Sequence, residues 1–228
     1  MSDETPQKSP AEVQAEKLIR RQKRNLRKAE AEGFMAGICA MLRPGDTVLD
    51  CGANMGVVTA QLAATPAQVI AYEPDPFAFA RLTDRFADTE NVSLINAAVA
   101  AAPGTVRLMR AENFDENPEG ASVKSTILSG GRSIAATGGI DVQCLSFLDI
   151  LRDLARPEAP LAFVKMDIEG AELEILETML EQDLFSHVRC LVAETHERKF
   201  KDLRPRFRAL RAEITQRFAP GHVNLDWI

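Results

Sequence analysis

Residues 48–60 read VLDCGANMGVVTA, and this run decides the fold. An apolar stretch, 47–50, ends on the carboxylate of Asp50, a glycine-bearing turn follows, and 57–64 then reads as a helix. Gly52 removes the side chain where a ligand must come close to the backbone. Gly56 lets the helix begin close to the strand. The free amides of a helix N-terminus then face the space above the turn. In open α/β sheets, ligands sit beyond the carboxyl ends of the strands, so the turn marks a binding site as well as a fold.

The same alternation continues outward. Strands are predicted at 69–73, 92–96, 161–166 and 188–194, with a short extra strand at 105–109 and an extended stretch at 140–144. Helices are predicted at 76–87, from a Ser146 cap to about 154, at 171–182 and near 203–210. Two last strands, 213–218 and 223–227, complete the reading. Short apolar runs alternating with helix-period segments predict a parallel sheet with helices on both faces. The stretch 111–139 holds Gly120, Gly130, Gly131, Gly138 and Gly139 with little periodicity, and reads as a long loop that chooses the substrate.

The 228 residues are 46% hydrophobic and 26% charged, which excludes a disordered chain, a collagen-like fibre and a disulfide scaffold. Cys39, Cys51, Cys144 and Cys190 form no C-x-x-C pair and read as reduced thiols. No run approaches the roughly 18 apolar residues of a membrane span, and the opening MSDETPQKSP is polar and acidic. The expected location is the cytoplasm. A net charge of −6 disfavours nucleic acid as a partner. One segment departs from it: KLIRRQKRNLRK, residues 17–28, carries seven basic residues and no acid. Ser9 reads as its N-cap, Pro10 as its first turn and Gly33 as its stop. Residues 1–33 thus form a basic helical arm, free in solvent or docked on an acidic partner, membrane surface or substrate, and a candidate for homo-oligomer pairing. Residues 34–228 form the main domain.

Glu73 closes VIAYE, 23 residues beyond Asp50. A carboxylate at that strand end accepts hydrogen bonds from both hydroxyls of a ribose. A dinucleotide site needs G-x-G-x-x-G to cradle a pyrophosphate. Gly52-Ala-Asn-Met-Gly56 lacks that pattern, and Asp50 would repel a diphosphate. An acidic strand end suits a ligand bearing an ammonium and a sulfonium, which describes S-adenosyl-L-methionine.

DCGANMG, YEPDP, NVSLINAAVA, FVKMDIEGAELEIL and LVAETHE occur here in that order, and LSFLDIL precedes the fourth of them. In order and spacing, residues 45–197 resemble the FkbM family of S-adenosylmethionine-dependent methyltransferases. The resemblance implies a Rossmann-like class I methyltransferase fold: α/β, with a mostly parallel seven-stranded sheet, helices on both faces and an antiparallel last strand. It also implies O-methylation of a hydroxyl on a sugar or small natural product. By the same resemblance, Asp50, Gly52, Asn54 and Gly56 line the methionine and ribose side of the cofactor. Glu73 holds the ribose, Asn96 and Ala97 flank the adenine, Ser125 and Thr126 approach from a loop, and Asp167 stands between cofactor and acceptor.

Lys165 and Asp167 share one face of their strand, and Glu169 and Glu172 open the next helix, where carboxylates are favoured. Glu194 and His196, two apart, project from one side of the following strand end. An aliphatic hydroxyl needs a general base. His196 is the first choice, oriented by Glu194 or Asp167, and Asp167 is the second. His187 and His222 lack acidic company and read as packing or surface residues. Asp167, Glu169, Glu194 and His196 also have the chemistry to gather magnesium or manganese, but the expected site is metal-free. The competing readings are a non-catalytic cofactor-binding or interaction module and an NAD-dependent oxidoreductase.

Overall fold

Strand β1 (Thr47–Cys51) lies at the centre of a six-stranded sheet. The computed structural model describes residues 9–110, 114, 125–127, 139–156 and 158–227. From β1 the chain moves outward through β2 (Gln68–Tyr72) to β3 (Val92–Ile95). After an excursion it returns to the other side of β1 as β7 (Phe163–Met166), then β8 (Leu191–Ala193) and β9 (Val223–Asn224). The order β3-β2-β1-β7-β8-β9 places the reversal between β1 and β7, where such sheets open a crevice. The excursion forms a second sheet, β4-β6-β5, from β4 (Ala98–Ala100), β5 (Gly104–Leu108) and β6 (Ile140–Ser146).

Adjacent residues of β1 face opposite cores, as the pleat demands. Leu49 and Cys51 join Val164 and Met166 beneath three helices. These are α4 (Phe147–Leu154), α5 (Glu172–Glu181) and α6 (Arg204–Arg217), which contribute Phe147, Leu176 and Phe207 among others. Val48 and Phe163 point the other way, against Leu62 of α2 (Val57–Ala63) and Met35 of α1 (Pro10–Met41). Local chemistry sets the helix starts. Ser9 and Glu12 form a capping box at α1. Asp75 accepts from the Phe77 amide at 2.9 Å to open α3 (Pro76–Arg85), and Ser146 accepts from Asp149 at 3.2 Å to open α4. All four cysteines are free thiols.

Three expectations need correction. The last strand is parallel, with Leu191 opposite Val223 and Val192 opposite Asn224, and the main sheet has six strands among the described residues. One antiparallel bridge, between Glu194 and Asp226, lies just beyond it. The stretch 213–218, expected as a strand, lies almost wholly within α6, because Phe207, Leu210 and Ile214 recur at helical spacing and all are buried. Gly33 does not stop α1, which runs on to Met41 as Phe34, Met35 and Ile38 continue its packing onto the sheet. Most of the loop 111–139 lies outside the described residues. Phe114 within it meets Phe77 edge-on at 6.1 Å, and the Arg110 guanidinium lies 4.0 Å from its ring centroid.

Candidate active site

The ends of β1 and β7 approach so closely that only glycine fits between them. Gly52 has φ +81°, and a Cβ there would fall 1.9 Å from the Asp167 carbonyl oxygen. Asn54 follows in the left-handed region at φ 47°, and its amide donates to Glu73 Oε2 at 2.8 Å. The Asp75 amide donates to Glu73 Oε1 at 2.8 Å. Each Glu73 oxygen therefore keeps acceptor capacity toward the crevice. Burial pushes Glu73 up to about 7, against the two amides that pull it down. Gly56 serves packing instead, since a Cβ there would lie 2.7 Å from Leu82 and from Phe86.

Asp50 lies below this floor, fully buried. Its Oδ2 accepts from Thr59 Oγ1 at 2.7 Å, and its Oδ1 is 3.2 Å from Lys165 Nζ. Lys165 also donates to the Gly52 carbonyl at 2.7 Å and lies 3.6 Å from Asp167 Oδ2. Burial works against its charge, but Asp50 and Asp167 outweigh it and hold the ammonium charged. The buried pair thus fixes the turn from beneath.

A cleft of about 300 Å³ opens above the turn. Gly52, Asn54, Glu73, Ala97, Ser125, Thr126 and Asp167 line it together. Asp50, Gly56 and Asn96 do not reach its wall. Asn96 instead donates to the Glu73 and Pro74 carbonyls at 2.8 and 3.2 Å and holds the β2 end in place. Thr126 ties its loop to the β7 end by donating to the Glu169 carbonyl at 2.7 Å. The Ser125 hydroxyl is buried and has no hydrogen-bond partner among the described residues.

A second cavity, about 770 Å³, lies beyond. Glu194, His196, Lys199 and Arg211 line it, and Arg27 and Phe34 of α1 close one side. Trp227 borders both spaces.

Between them stands a partition of acids around His196. Its Nε2 is 3.7 Å from Asp167 Oδ1, 3.2 Å from Glu169 Oε2 and 3.9 Å from Glu194 Oε1. Its Nδ1 is 3.2 Å from Glu172 Oε1. Glu172 is fully buried and accepts from the Ile168 and Gly170 amides, each at 2.8 Å. Burial lowers the His196 pKa, but Glu172, Glu169 and Asp167 outweigh it and lift the imidazole to about 9. Burial, aided by Asp167, pushes Glu194 up to about 7. Burial also raises Glu169, opposed by His196 and by Lys199, whose Nζ is 2.6 Å from Glu169 Oε2. The sequence reading missed Lys199, Trp227 and the α1 wall, and saw Glu172 only as a helix-end charge.

Residues 50–218 match the methyltransferase FkbM domain. The chain belongs to the FkbM methyltransferase family. Among curated relatives, methyltransferase sdnD of Sordaria araneosa is 28% identical over 185 residues, 72% of this chain and 70% of its own. Hexuronic acid methyltransferase AglP of Haloferax volcanii is 29% identical over 152 residues, 66% of this chain, and the match spans only 56% of AglP. Among solved structures, a putative rRNA-methylase from Clostridium thermocellum is 27% identical over 28% of this chain and 39% of its own, with a TM-score of 0.26. Family and strand order together give the Rossmann-like class I methyltransferase fold. No helix among the described residues is long and apolar enough to cross a membrane.

Proposed function

We propose that this FkbM-family protein is an S-adenosylmethionine-dependent O-methyltransferase acting on a hydroxyl of a sugar or small natural product. One observation carries the reading: a Glu73 clasp at the β1–β7 crevice, separated by a single wall of acids from a second, larger cavity. The residues present fit the cofactor. Gly52 leaves the backbone bare, Glu73 has acceptor capacity for two ribose hydroxyls, Ala97 offers an apolar edge for adenine, and Asp167 and Glu169 favour a cation. When bound, S-adenosylmethionine supplies a methyl group on a positively charged sulfur.

The second cavity takes the acceptor, whose hydroxyl meets Asp167, Glu194 and His196 at the partition. His196, the base of the sequence reading, is held in its charged form by the surrounding carboxylates. Glu194, on the acceptor side and 3.9 Å from that imidazolium, is the residue placed to take the proton. The name of AglP supports a sugar as acceptor.

Calorimetric titration of the full chain with S-adenosylhomocysteine and with NAD tests the cofactor. Binding of the first alone, weakened at least about tenfold in Glu73→Ala, is expected. Binding of NAD alone would refute the reading. A panel of hydroxylated sugars and sugar acids with labelled methyl donor then tests the acceptor class.

A further inference from the structure

Four carboxylates crowd one imidazole at the partition, more acid than the orientation of one histidine requires. One ligand atom from each of Asp167, Glu169 and His196 lies within 4.8 Å of the others. A cation with bonds of about 2.1–2.4 Å spaces neighbouring ligands about 3.0–3.4 Å apart and opposite ones about 4.2–4.8 Å apart. The separations of 3.2 and 3.7 Å from His196 Nε2 to Glu169 and Asp167 fall in or close to that range.

The histidine supplies a second, independent sign. Its side chain is only 10% exposed, its Nε2 is directed into three carboxylates, and its fully buried Nδ1 faces the fourth. A ligating histidine faces a carboxylate or carbonyl with its other nitrogen, which fixes ring and tautomer. Glu172 Oε1, 3.2 Å from Nδ1, is that carboxylate. Two backbone amides lock it in turn. Nε2 toward three acids and Nδ1 toward a pinned fourth is the arrangement of a metal-binding histidine.

We propose that Asp167, Glu169 and His196 form a binding site for one divalent cation at the partition, with Glu172 as the positioning residue behind His196. Mixed carboxylate and imidazole donors suit Mn2+ better than Ca2+ or Mg2+, which take all-oxygen shells, or Cu(I), which takes sulfur. The ion would take the place of two positive charges, the proton on His196 Nε2 and Lys199, whose Nζ is 2.6 Å from Glu169. Asp167, Glu169 and His196 would hold the ion, and it would supply acidification of an acceptor hydroxyl beside Glu194, which lines the second cavity and would take the proton. That last role rests on the methyl-transfer reading, whereas cation binding itself does not. The proposal departs from the metal-free expectation of the sequence.

The test uses the full chain freed of metal with chelator, titrated with Mn2+ and followed by the electron paramagnetic resonance signal of the free ion. One saturable equivalent is expected. Affinity should fall at least about tenfold in His196→Ala and in Glu172→Gln, and rise in Lys199→Met. Circular dichroism of the same samples reports whether each variant is folded, and S-adenosylhomocysteine titration keeps the two readings separate. Mn2+ uptake without S-adenosylhomocysteine binding would support the cation site while overturning the methyl donor. Absence of a saturable equivalent in the unsubstituted chain would overturn the site, as would equal affinity in a folded His196→Ala.

Discussion

Replacing Gly52 by alanine tests the close approach on which the crevice depends. The new Cβ would fall 1.9 Å from the Asp167 carbonyl oxygen and 2.9 Å from its carbon. Side-chain carbons do not approach within about 3 Å, so the ends of β1 and β7 must part by roughly 1 Å. That parting strains the Asp167 amide bond to the Cys51 carbonyl, now 3.0 Å, and the Lys165 bond to the Gly52 carbonyl, now 2.7 Å. A left-handed alanine costs about 1–2 kcal/mol, and forced overpacking about 1–3 kcal/mol. The expected loss is therefore about 2–5 kcal/mol in urea unfolding, with a turnover loss of about 100-fold from a 1 Å misplacement. The control is Gly37→Ala in α1, where a Cβ meets nothing within 4 Å. There the same substitution should stabilise by about 0.5–1 kcal/mol. A Gly52→Ala protein with unaltered unfolding and S-adenosylhomocysteine affinity would refute the reasoning.

Three further outcomes are expected. Lys165→Met strands the fully buried Asp50 and should cost about 3–5 kcal/mol, measured by denaturant unfolding at pH 7.5; a loss below about 1 kcal/mol would mean that the pair is not a structural keystone. Glu73 titrates near 7 in the fold against 4.5 in its unperturbed form, so its stabilisation is full below pH 4.5 and is lost as pH rises through 7. That slope, up to roughly 3 kcal/mol, should flatten in Glu73→Gln when unfolding is followed across the window. Ser9→Ala removes the capping box and should cost about 1 kcal/mol of local helix stability. Amide exchange should then quicken in the first turns of α1 and stay unchanged in β1.

The cleft above β1 was legible because its signals are local. Gly52, Asn54 and Glu73 fall within one strand-turn-helix-strand unit, so a short window contains both the bare backbone and the acid that faces it. Asp50 misled for the same reason: a strand-end carboxylate looks like a ligand until Thr59 and Lys165, the latter far along the chain, are seen to claim it. The stretch 213–218 deceived because α6 is rich in arginine, which hid the spacing of Phe207, Leu210 and Ile214. Gly33 deceived because helix propensity is a weak prior where tertiary packing continues past it. The second cavity was invisible, since α1, the β8 end and the chain end meet there only in three dimensions. Glu172 was seen, but its place behind His196 depends on a turn with Glu169 at φ 59° that no periodicity reveals.

Trp227 is the chain's sole tryptophan, and it sits where the two cavities share a wall, edge-on to Phe34 at 6.1 Å. Its emission is therefore a native optical gauge. Occupancy on either side alters the polarity around one indole, so titrations can be read without label or engineered probe, and with no other indole to blur the signal.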